Sequence, residues 1–449
     1  MSKIDAEIAK VLTKALKGPP AVAPQQRNQA WEILRSSGLD AALDFVNSAQ
    51  RVVQLQPPVP YQVWGQDGID DATLQQMNAA ATLPIAVAGA LMPDAHLGYG
   101  LPIGGVLATD AAVIPYAVGV DIACRMRITI FDADAMVLEH QRELLKTSLI
   151  EQTRFGAGAQ FEPDNRSEHE VLDHPNWQAT QFLRDLHSTA IYQLGSSGGG
   201  NHFVEWGLFT LDTPDDDLGI SEPGTYLALL SHSGSRGVGF RIANYYSKWA
   251  KDTHPTLPKE VQHLAWFTLD SEAGQEYWLS MELAGDFAAA NHEVIHNRIT
   301  QATGLTSIAT VENHHNFAWR EKANNKEIVV HRKGATPAGK GVLGIIPGSM
   351  GDPGFVVKGK GRAESINSAS HGAGRQMSRR QANRTITHEE QLKYLEKLNV
   401  ELIGGGLDEA AQAYKRIEEV MAAQEDLVDI IGKFEPKIVR MADDGSSED

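Results

Sequence analysis

The single cysteine of the chain, Cys124, stands three positions after Asp121 in the stretch "GVDIACRMR" (Gly119–Arg127). At that spacing, in a turn or short helix, a carboxylate and a thiolate can point at one centre. A thiolate can bridge two cations; a lone thiol can equally be a small buried hydrophobe. The histidines arrive in separate loops, most of them glycine-bounded. "LGSSGGGNHFVEWG" (Leu194–Gly207) delivers Asn201 and His202, followed by Phe203 and Glu205. "LLSHSGSRGVG" (Leu229–Gly239) presents His232, then Ser233, Ser235 and Arg236. "VENHHNFAW" (Val311–Trp319) holds His314 and His315, of which strand alternation lets one at most face a given site. "SASHGAGRQMSRRQA" (Ser368–Ala382) carries His371 ahead of a glycine turn, and "MPDAHLGYGLPIGG" (Met92–Gly105) places Asp94 and His96 two apart. One Asp, one Cys and several His supply ligands for two low-coordinate cation sites, with positions left open for phosphate oxygens. The residue types alone admit Mn²⁺, Zn²⁺ or Co²⁺. Glycine amides, serine hydroxyls and a guanidinium make an anion nest. "VVHRKGATPAGKGVLGIIPGSMGDPG" (Val329–Gly354) adds Arg332, Lys333 and Lys340 near Ser349.

These loops need a scaffold. From about Leu83 onward, short apolar and β-branched runs feed into the glycine-rich turns: "MRITIF" (Met126–Phe131), "TYLALL" (Thr225–Leu230), "EIVVH" (Glu327–His331), "VLGIIPG" (Val342–Gly348) and "GFVVKG" (Gly354–Gly359). They read as buried strands ending in functional loops. Helical spacing marks "WLSMELAGDFAAANHEVIHNRITQATG" (Trp278–Gly304) and "LDEAAQAYKRIEEVMAAQEDLVDIIGKF" (Leu407–Phe434). Upstream, "IDAEIAKVLTKAL" and "NQAWEILRSSGLDAALDFV" read as polar helices separated by a proline-rich loop. The reading is a mixed α/β (α+β) chain: a helical N-terminal segment at 1–75, one large catalytic domain at 76–442 around a central metal cleft, and an acidic disordered tail at 443–449.

An apolar fraction of 42% suffices for a large core, and one cysteine excludes an intrachain disulfide framework. No run approaches the ~20 apolar residues that span a bilayer. The N-terminus has no apolar signal region, so a cytoplasmic protein without a membrane partner is expected. A formal charge of −17 argues against broad non-specific nucleic-acid binding but allows a local basic cleft.

The ordered series "PDAHLGYGLPIGG", "GVDIACRMR", "GGGNHFVEW", "SHSGSRGVG", "HHNFAWRE", "HRKGAT…IPGSMG" and "SASHGAGRQMSR" resembles the RtcB family of RNA-splicing ligases from about Pro84 to the C-terminal region. The resemblance implies two Mn²⁺ ions on Asp121, Cys124, His202, His232 and His315, with the cysteine bridging. It implies GTP as co-substrate and His371 as the residue that becomes guanylylated. It implies nucleotide contacts from Asn201, Phe203, Glu205, Ser349, Gly372 and Gly374. A basic funnel for RNA would comprise Arg236, Arg332, Lys333 and Arg375, joined by Arg379 and Arg380. The implied substrate is RNA with a 2′,3′-cyclic phosphate or 3′-phosphate end and a 5′-hydroxyl end, in RNA repair or tRNA maturation. The family's terminal lysine on guanine has no counterpart here; "EPKIVRMADDG" puts Arg440 and Met441 near that place. Competing readings are a dinuclear metal phosphoesterase and a non-ligating RNA-binding homologue.

Overall fold

The computed structural model describes residues 6–443 apart from 20, 21, 23, 51, 324 and 325. An eight-stranded sheet forms the centre. Its strands run in the order Leu343–Ile346, Gly354–Gly359, Val428–Met441, Phe203–Leu211, Gly224–Ser233, Arg125–Asp134 and Ser307–His314. The short Glu401–Ile403 pairs in parallel with Val428–Met441; the other pairings are antiparallel. A five-stranded sheet lies in the order Tyr61–Val63, Ala86–His96, Ile103–Thr109, Lys326–Lys333, Phe317–Ala323. The expected strands all lie in these two sheets, and the chain is mixed helix and sheet as its pattern implies.

The period-two pattern explains how the central sheet is buried on both faces. Along Phe203–Leu211, Val204 and Trp206 pack with Leu145, Leu149, Ile295 and Ile299 of two helices, whereas Phe203, Phe209 and Leu211 pack on the other face with Met126, Ile128 and Phe434. Each such fully buried large apolar side chain contributes roughly 1.5–3 kcal/mol. The helix Glu272–Thr303 runs behind the sheet for 32 residues; the Ser271 hydroxyl caps it by accepting from Gly274 N, and Gly304 ends it at φ 68°.

The N-terminal segment folds as three helices, Ala6–Leu16, Pro24–Ser37 and Leu39–Ala49, around a core of its own built on Leu12, Leu16, Leu34 and Val46. Gly38, at φ 91°, divides the second expected helix in two. The same segment also supplies the edge strand Tyr61–Val63, which the sequence did not suggest. The acidic tail lies outside the described residues except for Asp443.

One expectation about the fold is overturned. Leu407–Phe434 is not a long helix. It forms two 3₁₀ turns, Leu407–Glu409 and Ala411–Ala413, and a six-residue helix, Ile417–Ala422, before entering the strand Val428–Met441. Gly432 and Pro436 are poor in a helix interior. The strand accommodates the proline at a register shift between Pro436 and Ile438.

Candidate active site

Register gathers the chemistry at one end of four neighbouring strands. His202 immediately precedes Phe203–Leu211, His232 is the last residue but one of Gly224–Ser233, Cys124 precedes Arg125–Asp134, and His315 follows Ser307–His314. The pairings Phe203↔His232, Met126↔His232 and Arg125↔His314 hold them level. Cys124 Sγ lies 3.0 Å from His232 Nε2 and 3.5 Å from His202 Nε2. His232 Nε2 and His315 Nε2 are 3.3 Å apart, and His202 Nε2 is 3.1 Å from Asp121 Oδ2. Two donor triads result, Cys124–His232–His315 and Asp121–Cys124–His202, and the thiol belongs to both. His314 faces away and packs on Phe317 and Trp319, so only one histidine of the adjacent pair enters the cluster.

The backbone around the cysteine is bent to achieve this. Ala123 and Asn316 adopt φ 56° and 57°, unusual for residues with a Cβ, and are pinned by Ala123 N donating to Asn316 O at 2.9 Å and His315 N to Cys124 O at 2.9 Å. Asp121 Oδ1 accepts from Ser235 N at 3.0 Å. Gly234 must lack a side chain, because a Cβ there would meet Asp121 Oδ2 at 2.1 Å.

The donor chemistry fits two cations. The Asn201 carbonyl oxygen lies 3.2 Å from His232 Nδ1, which puts that ring proton on Nδ1 and aims the Nε2 lone pair inward. Lone pairs, a thiol and a carboxylate then crowd together, an arrangement that cations between them would stabilise. Burial, followed by the charge of His202, pushes His232 down to about 3, and burial holds His315 well below its ordinary value. Both are therefore neutral, as metal-ligating imidazoles must be. Burial alone would raise the Asp121 carboxyl; the His202 imidazole and the Arg236 guanidinium outweigh it and hold the group at about 2.

His371 sits beside this cluster, after the strand Ser368–Ser370, with its ring centroid 4.8 Å from that of His315. Its Nδ1 donates to Asp94 Oδ2 at 2.7 Å, and the same oxygen accepts from His371 N at 3.1 Å and Gly372 N at 3.4 Å. The ring proton is thereby held on Nδ1, and the Nε2 lone pair is available. Lys415 Nζ donates to the carbonyls of Pro93 and Ala95 at 2.9 and 2.8 Å, on either side of the buried carboxylate.

A cavity of about 730 Å³ opens from His371. Asn201, Phe203, Ser349, Gly372, Gly374, Lys333 and Arg375 line it, with Arg379, Arg380 and Met441. Glu205 follows on the same strand face as Phe203; it is buried, and burial raises its carboxyl well above the usual range. Arg236 is buried against the cluster, within 3.2 Å of the His202 ring, and does not line the cavity. Burial lowers the Lys333 ammonium to about 7. Arg375 is paired with Glu409 at 2.7 Å within the cavity wall.

Arg332 corrects the expected RNA funnel. Strand alternation turns it to the opposite face from Lys333, where it is fully buried, pairs with Glu321 at 2.6 Å and donates to Ser368 Oγ at 2.7 Å. It braces the scaffold and does not reach a ligand in the cavity. Arg440 likewise turns away, over Phe155, while its neighbour Met441 pairs with Phe203 at the cavity wall.

Two residues were missed as contributors. Asp94 was singled out beside His96, but its partnership with His371 is invisible in the sequence. Asn291, on the long helix and fully buried, accepts from Gly195 N at 2.7 Å and donates to Ser196 O at 2.9 Å and Ser233 Oγ at 3.3 Å, tying together the loops that carry His202 and His232. Its one signal in the sequence is a polar residue on the buried face of the long helix, which it shares with Ser280, His292 and His296.

Fold and site together define a mixed α/β protein with a cysteine-centred cluster able to hold metal beside an oriented imidazole in a deep cavity. The chain belongs to the RtcB family: the family profile described as tRNA-splicing ligase RtcB matches residues 76–442. It is 34% identical over 388 residues to the RNA-splicing ligase RtcB of Escherichia coli K12, covering 80% of this chain and 91% of the relative. It is 29% identical to the tRNA-splicing ligase RtcB of Nanoarchaeum equitans over 85% of this chain and 95% of the relative. An Entamoeba dispar homologue is 30% identical over 78% of this chain and 77% of its own length. Among the described residues, no helix is long and apolar enough to cross a membrane.

Proposed function

We propose that this chain is an RNA ligase that joins a 2′,3′-cyclic phosphate or 3′-phosphate end to a 5′-hydroxyl end, with GTP as co-substrate and two Mn²⁺ ions as cofactors. The reading is carried by one observation: an imidazole oriented by a buried carboxylate stands beside a double donor set that shares a single thiol. Asp121, Cys124, His202, His232 and His315 would hold the cations, which when bound polarise phosphoryl oxygens and offset the charge that builds on them. His371 Nε2 attacks the α-phosphorus of GTP; an N–P bond forms, the α–β bridging P–O bond breaks, and pyrophosphate leaves with that electron pair. Asp94 keeps the proton on Nδ1 and stabilises the positive charge that the ring acquires. Water first opens a cyclic phosphate end to a 3′-phosphate. An oxygen of that 3′-phosphate displaces His371 from the GMP phosphorus, giving an RNA-(3′)pp(5′)G end. The 5′-hydroxyl oxygen of the second strand then attacks the 3′ phosphorus, loses its proton and releases GMP.

Phe203, Met441, Asn201 and Ser349 are assigned to the nucleotide, Glu205 to the guanine edge, and Lys333 with Arg375 to phosphates. Hydrolysis of a phosphoester by metal-activated water requires no imidazole nucleophile. The test is incubation with Mn²⁺ and α-labelled GTP, with and without RNA ends. Wild type should form a protein–GMP adduct that His371→Ala abolishes, and should pass GMP to RNA. Hydrolysis of the RNA end with no adduct in metal-loaded protein would favour the phosphoesterase reading instead.

A further inference from the structure

The cavity has a wall to which the steps above assign only a cation. Tyr99 follows the strand Ala86–His96 of the five-stranded sheet, lines the cavity that reaches His371, and is 71% exposed. Tyr116 lines the same cavity, and the His263 ring lies 5.2 Å from it and 6.4 Å from Tyr99. Lys333 Nζ sits 5.4 Å from the Tyr116 ring and donates to the Tyr99 carbonyl. A tyrosine kept for packing would bury its ring. Here the backbone carbonyl makes the tie to the fold and the ring stays open to solvent.

Phe203 and Met441 line the cavity from the eight-stranded sheet, and the ligase reading assigns them to the guanine nucleotide, so an aromatic on the five-stranded sheet is free for another base. An exposed ring beside a cation is the arrangement that single-stranded nucleic acid uses, with the base stacked on the ring and the phosphate met by the charge. We infer that Tyr99, backed by His263 and Tyr116, is a stacking platform for an unpaired nucleobase at the RNA terminus delivered to His371, with Lys333 facing the adjoining phosphate. The inference rests on the ligase reading.

The test combines a variant with a substrate change. Tyr99→Ala and Tyr99→Phe are compared with wild type on RNA ends whose terminal nucleotide is either normal or abasic, the abasic residue being placed at the 3′-phosphate end or at the 5′-hydroxyl end. Adduct formation from GTP without RNA serves as the normalising control. Stacking on one ring predicts that Y99A raises the RNA KM by roughly 5- to 150-fold and that Y99F restores it. Y99A should add nothing further on the abasic substrate at the end that stacks, since ring and base then form one unit. Non-additivity at the 3′ end assigns the platform to the phosphate strand, and at the 5′ end to the hydroxyl strand. A wild type that ligates, with a Y99A KM within about twofold or with additive losses at both ends, overturns the platform alone. A wild type that forms neither adduct nor product overturns the ligase reading itself.

Discussion

Removing the Asp94 carboxylate separates what it does by position from what it does by charge. Its Oδ2 accepts from three N–H groups, at 2.7, 3.1 and 3.4 Å, and the residue is fully buried. Asp94→Ala deletes all three acceptors. The His371 ring is then free to turn and to move its proton to Nε2, where the nucleophilic lone pair is needed. A mis-set tautomer of this kind costs a catalytic imidazole about 10⁴ in rate, so adduct formation in D94A should fall by roughly 10³–10⁴. The 10⁴ penalty belongs to an Asp→Asn change whose amide mis-sets the ring; here the backbone N–H groups of His371 and Gly372 hold the amide oxygen at the Oδ2 position, so Asp94→Asn is milder. An amide oxygen at the Oδ2 position keeps the three acceptor contacts but carries no charge against the cationic ring. A charge-assisted hydrogen bond exceeds a neutral one by roughly 1–2 kcal/mol, so D94N should lose about 5- to 30-fold. Its NH₂ falls at the Oδ1 position, buried and without a hydrogen-bond partner, which lowers stability by about 1–3 kcal/mol. The assay is single-turnover transfer of label from GTP, with metal content checked in each variant. D94A within tenfold of wild type would show that Asp94 does not orient the nucleophile. Equal losses in folded, metal-loaded D94A and D94N would show that charge alone matters.

Two further outcomes follow from buried side chains inside and outside the cluster. Cys124→Ser replaces a thiolate with a hydroxyl that does not ionise and bridges poorly; adduct formation should be nearly lost, metal stoichiometry should drop below wild type, and the circular dichroism spectrum should persist, whereas wild-type guanylylation would refute the shared-ligand role. Acid should destabilise the metal-free protein steeply, because burial lowers His96 and His331 to about 4 and His232 and His314 to about 3, against an ordinary value of about 6.5. The unfolded chain takes up protons first, so stability is complete above about pH 6.5 and declines as pH falls towards 4 and 3. Urea midpoints measured from pH 8 to 4 should decline over that window, and a midpoint unchanged between pH 7 and 5 would contradict the burial of neutral imidazoles.

Much of the site was legible because its loops announce themselves. Glycines flank most of the donors, though not His315, and the alternation rule allows only one of His314 and His315 inward. The gathering of Cys124, His202, His232 and His315 was not legible from spacing, since it depends on which strands become neighbours. Arg332 reads as a second phosphate contact because it adjoins Lys333, although successive strand residues face opposite ways. Asp94 and His371 are far apart in the chain, and nothing local marks the pair. The C-terminal misreading has a plain cause: "EDLVDIIGKF" offers apolar residues at helical intervals, and its β role is decided by the unpaired edges waiting for it.

That last strand sets a timetable. Val428–Met441 lies between Phe203–Leu211 and Gly354–Gly359, and Phe203 cannot meet its partner Met441 until nearly all the described chain has left the ribosome. Until then two long strand edges stand open, and the wall behind Phe203 is missing. The nascent protein thus carries a split sheet with unpaired backbone, the state most exposed to edge-to-edge aggregation. Its cavity wall is complete only once that strand has docked, so an unfinished chain lacks a finished cavity.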